Sequence, residues 1–255
     1  MLAPKQYTGE QKMPLHLASI GRRHVMTITQ LEGWLDWQLK HGSHEFPGSD
    51  GGTCINEAAV VVAGLAYREV LSITDLPESF CPVISQFALT LNDAMPEGDE
   101  LNRLRPFAAR LSGSSDNREV IYERAKFLAM AAACVFAPIA IEPSAPDAAE
   151  RLRAANTPAD ALTEFEALAE RDWPENARES VGAALRALSR AVAPRQAIYI
   201  AELAAIAAIR AAAIDARAWQ AATQILDRVL AIGRQADPVE VALIDERATD
   251  VLAHS

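Results

Sequence analysis

The sequence predicts an all-α protein, a multi-helix bundle or a short α-solenoid. Three observations carry this. Residues 197–222 read AIYIAELAAIAAIRAAAIDARAWQAA, half of them alanine, with no glycine or proline; alanine has the highest helix propensity and loses no side-chain entropy on folding. Capping signatures precede apolar residues at helical spacing through most of the chain. Strand signals are sparse: residues 67–73 are the one strand-like piece, too short to build a sheet.

Taken in order, residues 1–25 show no periodicity and read as a flexible tail. Thr29-Gln30-Leu31-Glu32 is a capping box, after which Leu31, Trp34, Leu35, Gln38 and Leu39 repeat at helical spacing, with Gly42 as the stop. Residues 41–53, HGSHEFPGSDGGT, must be a loop from their glycines and proline. Thr53 caps the next helix, whose apolar side is Val61, Val62 and Leu65. Asp75-Leu76-Pro77 marks a turn. Pro82 opens a helix in its first turn, where a missing N–H costs nothing. Its stripe is Val83, Ile84, Phe87, Ala88 and Leu91, and Asn92-Asp93 and Pro96-Glu97-Gly98 end it. Leu101, Leu104, Phe107, Ala108 and Leu111 continue the pattern through Pro106, which kinks or splits that helix. Asp116-Asn117-Arg118-Glu119 is a second capping box. The helix after it, running to about Phe136, is apolar on nearly all sides beyond Phe127 and belongs at the centre of a bundle.

The segment IEPSAPD at residues 141–147 is the best domain boundary or hinge. It divides an N-terminal helical bundle, residues 26–141, from an Ala-rich one, residues 142–255, which can also pack with the first as one domain. Thr157-Pro158-Ala159-Asp160 reads as cap, first helical residue and acidic third position. Asp172-Trp173-Pro174 and Ala193-Pro194 punctuate the next segments, the alanine run follows as one long helix, and Asp237-Pro238-Val239-Glu240 opens a closing helix with Val239, Leu243, Ile244, Ala248 and Leu252 on its apolar side. Periodicity and caps together give about nine helices.

A net charge of -10 argues against general binding to nucleic-acid backbone, which needs clustered Lys and Arg. It suits docking on a basic partner surface, and acids exceed bases on both sides of Glu142. Three cysteines without a close pair fit a reducing cytosol. No secretory apolar region is evident near the start, and the apolar run at residues 127–141 is broken by Pro138 and shorter than the roughly 20 residues a membrane span needs. A cytoplasmic protein without membrane association is expected.

The loop of residues 41–57 holds the densest set of reactive side chains: His41, His44, Glu45, Asp50, Cys54 and Glu57. In one reading Cys54 is a nucleophile, its thiolate favoured by the helix N-terminus and His41 or His44 acting as base. The segment matches neither a Cys-x5-Arg phosphate loop nor a papain-type motif. In a second reading His41-x-x-His44 joins Cys54 or Glu45 around zinc, although no Cys-x-x-Cys completes a four-ligand set. In the third, favoured reading Cys54 is a small hydrophobe facing the core, the histidines are solvated and the glycines make a tight connection. No cofactor is assigned. Glu97, Asp99 and Glu100 complement a helix N-terminus. Trp34 and Trp37 lie about 60° apart on a helix; Trp34 faces the core, and Trp37 is a candidate partner anchor. Trp173 plugs a helix junction. The Ala-rich helix is buried or presents a self-association face, which makes a homodimer an open alternative.

GGTCINEAAVVVAGL from Gly51 and PVISQFALTLNDAMP from Pro82 resemble blocks in bacterial or phage-borne helical proteins, some of which also end in long Ala-rich helices. The likeness covers about residues 27–140. It implies a fixed structural purpose for Asn92, Asp93 and the turn at residues 51–54, and it brings no activity with it. The sequence therefore points to a non-enzymatic helical module that binds another protein, a phage-type inhibitor or adaptor on a basic surface being its specific form. The alternative is a metal- or Cys-dependent enzyme centred on the loop of residues 41–57.

Overall fold

The computed structural model describes residues 38–44, 52–65 and 67–233. The tail, the helix expected over residues 29–37 with Trp34 and Trp37, the side chains of Glu45 and Asp50, and the closing helix after Asp237 lie outside these. Within them the chain is all-α, as its alanine content and caps require.

Two short strands, β1 (Gln38–Leu39) and β2 (Gly52–Thr53), pair in parallel with Leu39 opposite Thr53. Helical spacing had placed Gln38 and Leu39 at the end of a helix. Instead they are extended, the Leu39 N–H bonded to Asn102 Oδ1 and the Lys40 N–H to the Thr53 carbonyl. Gly42 does adopt the left-handed conformation (φ 76°) expected of a stop, but it turns an extended segment. Two residues per strand make a bridge, so the fold class is unaffected.

Helix α1 (Ile55–Val62) begins one residue later than expected, with Cys54 and not Thr53 as its cap. Leu65 consequently falls beyond the helix and is exposed. Among the described residues, 67–70 pair with no strand, and a 3-10 turn, Ile73–Asp75, follows under a Ser72 cap. Helix α2 (Pro82–Asn92) carries Pro82 in its first turn, and its stripe Val83, Ile84, Phe87, Ala88 and Leu91 is fully buried. Pro106 splits the next pattern into α3 (Asp99–Asn102), a 3-10 turn and α4 (Ala108–Leu111).

Helix α5 (Arg118–Ile141) is capped by Asn117, whose side chain accepts from the Val120 N–H. The cap thus falls one residue later than expected from Asp116, and the expected box does not form, since Val120 at the third helical position cannot reciprocate. The helix also runs past Phe136 and through Pro138. A proline inside a helix lacks an N–H and crowds the carbonyl one turn back. The chain absorbs this by widening to π geometry over Ala132–Phe136, with the Ala137 N–H bonded to the Ala132 carbonyl. By length and composition α5 could cross a membrane, but most of it is buried against neighbouring helices.

Helices α6 (Pro146–Ala154), α7 (Pro158–Leu168) and α8 (Glu175–Arg190) follow. Thr157 and Asp160 form the reciprocal cap of α7, and Trp173 closes the α7–α8 junction with its indole N–H on the Leu168 carbonyl. The alanine run is two helices, α9 (Ala197–Ala212) and α10 (Arg217–Leu230). Asp215 divides it. Its carboxylate accepts from the Arg217 N–H at 2.9 Å and from the guanidinium at 2.6 Å, an alternative to the helical ladder.

Helix α9 is the spine, packed against α2, α5, α8 and α10. Its Ala201, Ala204, Ala205, Ala207, Ala208 and Ala211 are buried with no exposed surface. Contact between α9 and α2, far apart in sequence, makes this a bundle; in a solenoid each unit touches only its sequence neighbours. Buried apolar residues from Leu39 to Leu230 form one contiguous core that crosses the turn at residues 142–145.

One end of the bundle is locked by Arg124, a fully buried side chain of α5. Its Nε and Nη2 donate to the Ile232 carbonyl at 3.0 and 2.8 Å, and its Nη1 donates to the Ser114 carbonyl at 2.5 Å. Asp116 lies 3.9 Å away as counter-charge. Gly233 follows with φ 82°, so close to Val120 and Asp116 that a Cβ there would collide with both.

Candidate functional site at the Glu57 junction

Residues 38–44, the turn at 52–54, the start of α1 and Val70 meet at one buried carboxylate, and the end of α2 is tied in beside it. Glu57 is in the first turn of α1 and has no exposed surface. Its Oε1 accepts from the Ser43 hydroxyl at 2.5 Å, the His44 N–H at 3.3 Å and the Val70 N–H at 3.2 Å. Its Oε2 accepts from the Cys54 N–H at 3.0 Å, with the Thr53 hydroxyl 3.4 Å away. Burying a carboxylate is costly unless donors surround it, and these do. The same carboxyl reaches the helix end, where negative charge is favoured.

Cys54 completes a reciprocal cap. Its sulfur accepts from the Glu57 N–H at 3.4 Å while its own N–H donates to Glu57 Oε2. The thiol is fully buried, and burial, reinforced by the Glu57 charge, pushes its pKa well above the ordinary thiol range. This is opposite to the thiolate that a bare helix N-terminus would favour. The helix end acts on Glu57, and the sulfur sits beside that negative charge.

The two histidines engage other groups. His41 Nε2 lies 2.7 Å from the Met95 carbonyl, with Nδ1 4.0 Å from Glu97. His44 Nε2 lies 2.9 Å from the His41 carbonyl. Among the described residues no three His, Cys, Asp or Glu side chains are grouped to share a metal ion. The zinc set drawn from His41, His44 and Cys54 is therefore not assembled among them.

Asn92 and Asp93 tie the junction to the end of α2. Asn92 is fully buried; its Oδ1 accepts from the Ile55 N–H at 3.0 Å, and its Nδ2 donates to the Lys40 carbonyl at 2.7 Å. Asp93 Oδ1 accepts from the Gly42 N–H at 3.0 Å. One amide thus serves an otherwise orphaned N–H of α1 and fixes the strand segment above it.

Glu57 had been visible only as one acid in a dense loop. The signal for its role was the spacing Cys54-x-x-Glu57, which is that of a capping box with cysteine in place of serine. Cysteine is not among the preferred caps, so Thr53 had seemed the better candidate. Comparison with protein-family models, curated proteins and solved structures found no match. Fold and junction together define a helical bundle with a buried polar node centred on Glu57.

Proposed function

We propose that this chain is a protein-binding module that docks on a basic partner surface through its α7–α8 hairpin. The observation that carries this is the distribution of acids there. Glu166, Glu170, Asp172 and Glu175 are exposed, and none forms an ion pair among the described residues. The neighbouring acids Glu164 and Glu179 are paired with Arg151 and Arg210, and Arg171 stacks over Trp173. The four acids outnumber the exposed Arg171 and Arg178 on this hairpin and leave it net negative; an oppositely charged surface relieves their repulsion and speeds encounter. Both oxygens of the Glu57 carboxylate are already engaged within the fold, which fits a scaffold role. A phage-type inhibitor or adaptor that covers a basic surface is the specific form of this reading.

The test is capture from an extract of the source cell on the immobilised chain at low salt. A stoichiometric partner should be retained by the parent, released by raised ionic strength, and lost from a variant carrying E166Q, E170Q, D172N and E175Q. Recovery of no stoichiometric partner, or equal retention by the variant, overturns the proposal.

A further inference from the structure

We propose that residues 38–44 form a releasable strap latched by Glu57, and that opening this latch uncovers the Cys54 thiol while the helical bundle stays folded. The proposal is independent of the docking surface. The strap contributes one buried apolar side chain, Leu39, to the core; Gln38, His41 and Gly42 are exposed and Lys40, Ser43 and His44 partly so. The bonds that seat it are polar, and most come from side chains: Asn102 on the Leu39 N–H, Asn92 on the Lys40 carbonyl, Asp93 on the Gly42 N–H and Glu57 on Ser43 and His44, beside the backbone bond from the Lys40 N–H to the Thr53 carbonyl and the contact of His41 with the Met95 carbonyl. Segments with few buried apolar contacts open at lower free energy than the core to which they are attached.

Asn92 ties the strap to α1 through the Lys40 carbonyl and the Ile55 N–H, and Glu57 holds both sides at Cys54 itself. Oε1 takes the strap, and Oε2 takes the backbone of Cys54. Leu39 of the strap pairs directly with Thr53, the residue before Cys54. Replacing one carboxylate oxygen with an amide NH2 sets a donor against donors and breaks one side of the node. The Cys54 N–H then loses its carboxylate acceptor, which loosens the turn that keeps the thiol buried, although the sulfur still accepts from the backbone N–H of residue 57. Cys81 is equally buried, but at the start of α2, its N–H held by Ser114; Cys134 is half-buried in α5. The three cysteines thus report on separate regions.

The experiment is pulsed iodoacetamide labelling of the full chain, each cysteine quantified by peptide mapping, in the parent, in Glu57→Gln and in a milder Ser43→Ala/Asp93→Ala variant. Glu57→Gln should raise the Cys54 labelling rate roughly tenfold or more, as expected when a buried donor is left unsatisfied. Ser43→Ala/Asp93→Ala, which removes two of the bonds that seat the strap and leaves Glu57 in place, should raise it about threefold. Cys81 should stay as slow as in the parent in the milder variant. If Glu57→Gln frees Cys81 as well, the milder variant decides. Cys54 labelling unchanged in the milder variant, or Cys81 rising in step with Cys54 there, overturns the proposal.

Discussion

Glu57→Ala strands the His44, Cys54 and Val70 amides and the Ser43 hydroxyl around a cavity. Unsatisfied buried donors are expensive, and losing a buried charged partner costs more, so a loss of about 3–5 kcal/mol in urea unfolding is expected. Cys54 gives a second prediction, in pH. Its folded pKa lies above its ordinary value of 9.0, so the folded state keeps the proton that the unfolded chain releases. The stability this contributes is fully present below about pH 9 and is lost as pH rises beyond it. Between about pH 8 and 10.5 the parent should lose about 2 kcal/mol more than Cys54→Ser, which keeps a capping acceptor and does not titrate there. Equal alkaline slopes for the two proteins would contradict it. At this scale the sequence was legible where residue type implies a role, as for Pro82 and Thr157, whose positions in the first turn and at the cap are those expected. It was not legible where an unusual residue fills a common role, as Cys54 does, or where burial depends on distant partners, as it does for Asn92.

At the scale of elements, α9 is set by alanine in two ways. Propensity makes it helical, and the absence of side-chain bulk lets α2, α5, α8 and α10 approach its axis. Ala204→Leu inserts several heavy atoms where no surface is exposed and should cost about 1–3 kcal/mol, read from the urea midpoint at unchanged m-value. The same change at half-exposed Ala221 should cost less. Composition revealed this helix but not its end. The run lacks glycine and proline, yet Asp215 stops it by bonding the Arg217 N–H. Short polar side chains compete with the helical ladder, and a period of apolar residues does not register such competition. Pro138 failed in the other direction. It read as a break, but a single π-widened turn lets α5 continue to Ile141.

For the whole molecule, the apolar core is continuous across the turn at residues 142–145, and α9 packs on α2 and α5 from the other side of it. Splitting the chain there would expose the contact surfaces of all three helices. Fragments of residues 38–141 and 146–233 should each lack a cooperative thermal transition by circular dichroism, and mixing them should restore one; an independent transition in either fragment would contradict a shared core. The all-α class was legible because it rests on propensity and caps summed over the chain. The bundle arrangement was not, because alanine-rich surfaces give no pattern that selects one neighbour over another. That spine also decides how the protein tolerates change. A core of leucine and phenylalanine fails by hollowing, and a cavity can partly collapse. At an alanine in contact with several helices, every substitution except glycine adds atoms, and glycine loosens the helix itself. Genetic drift at these buried alanines has almost nowhere to go, so crowding sets the limit on their variation.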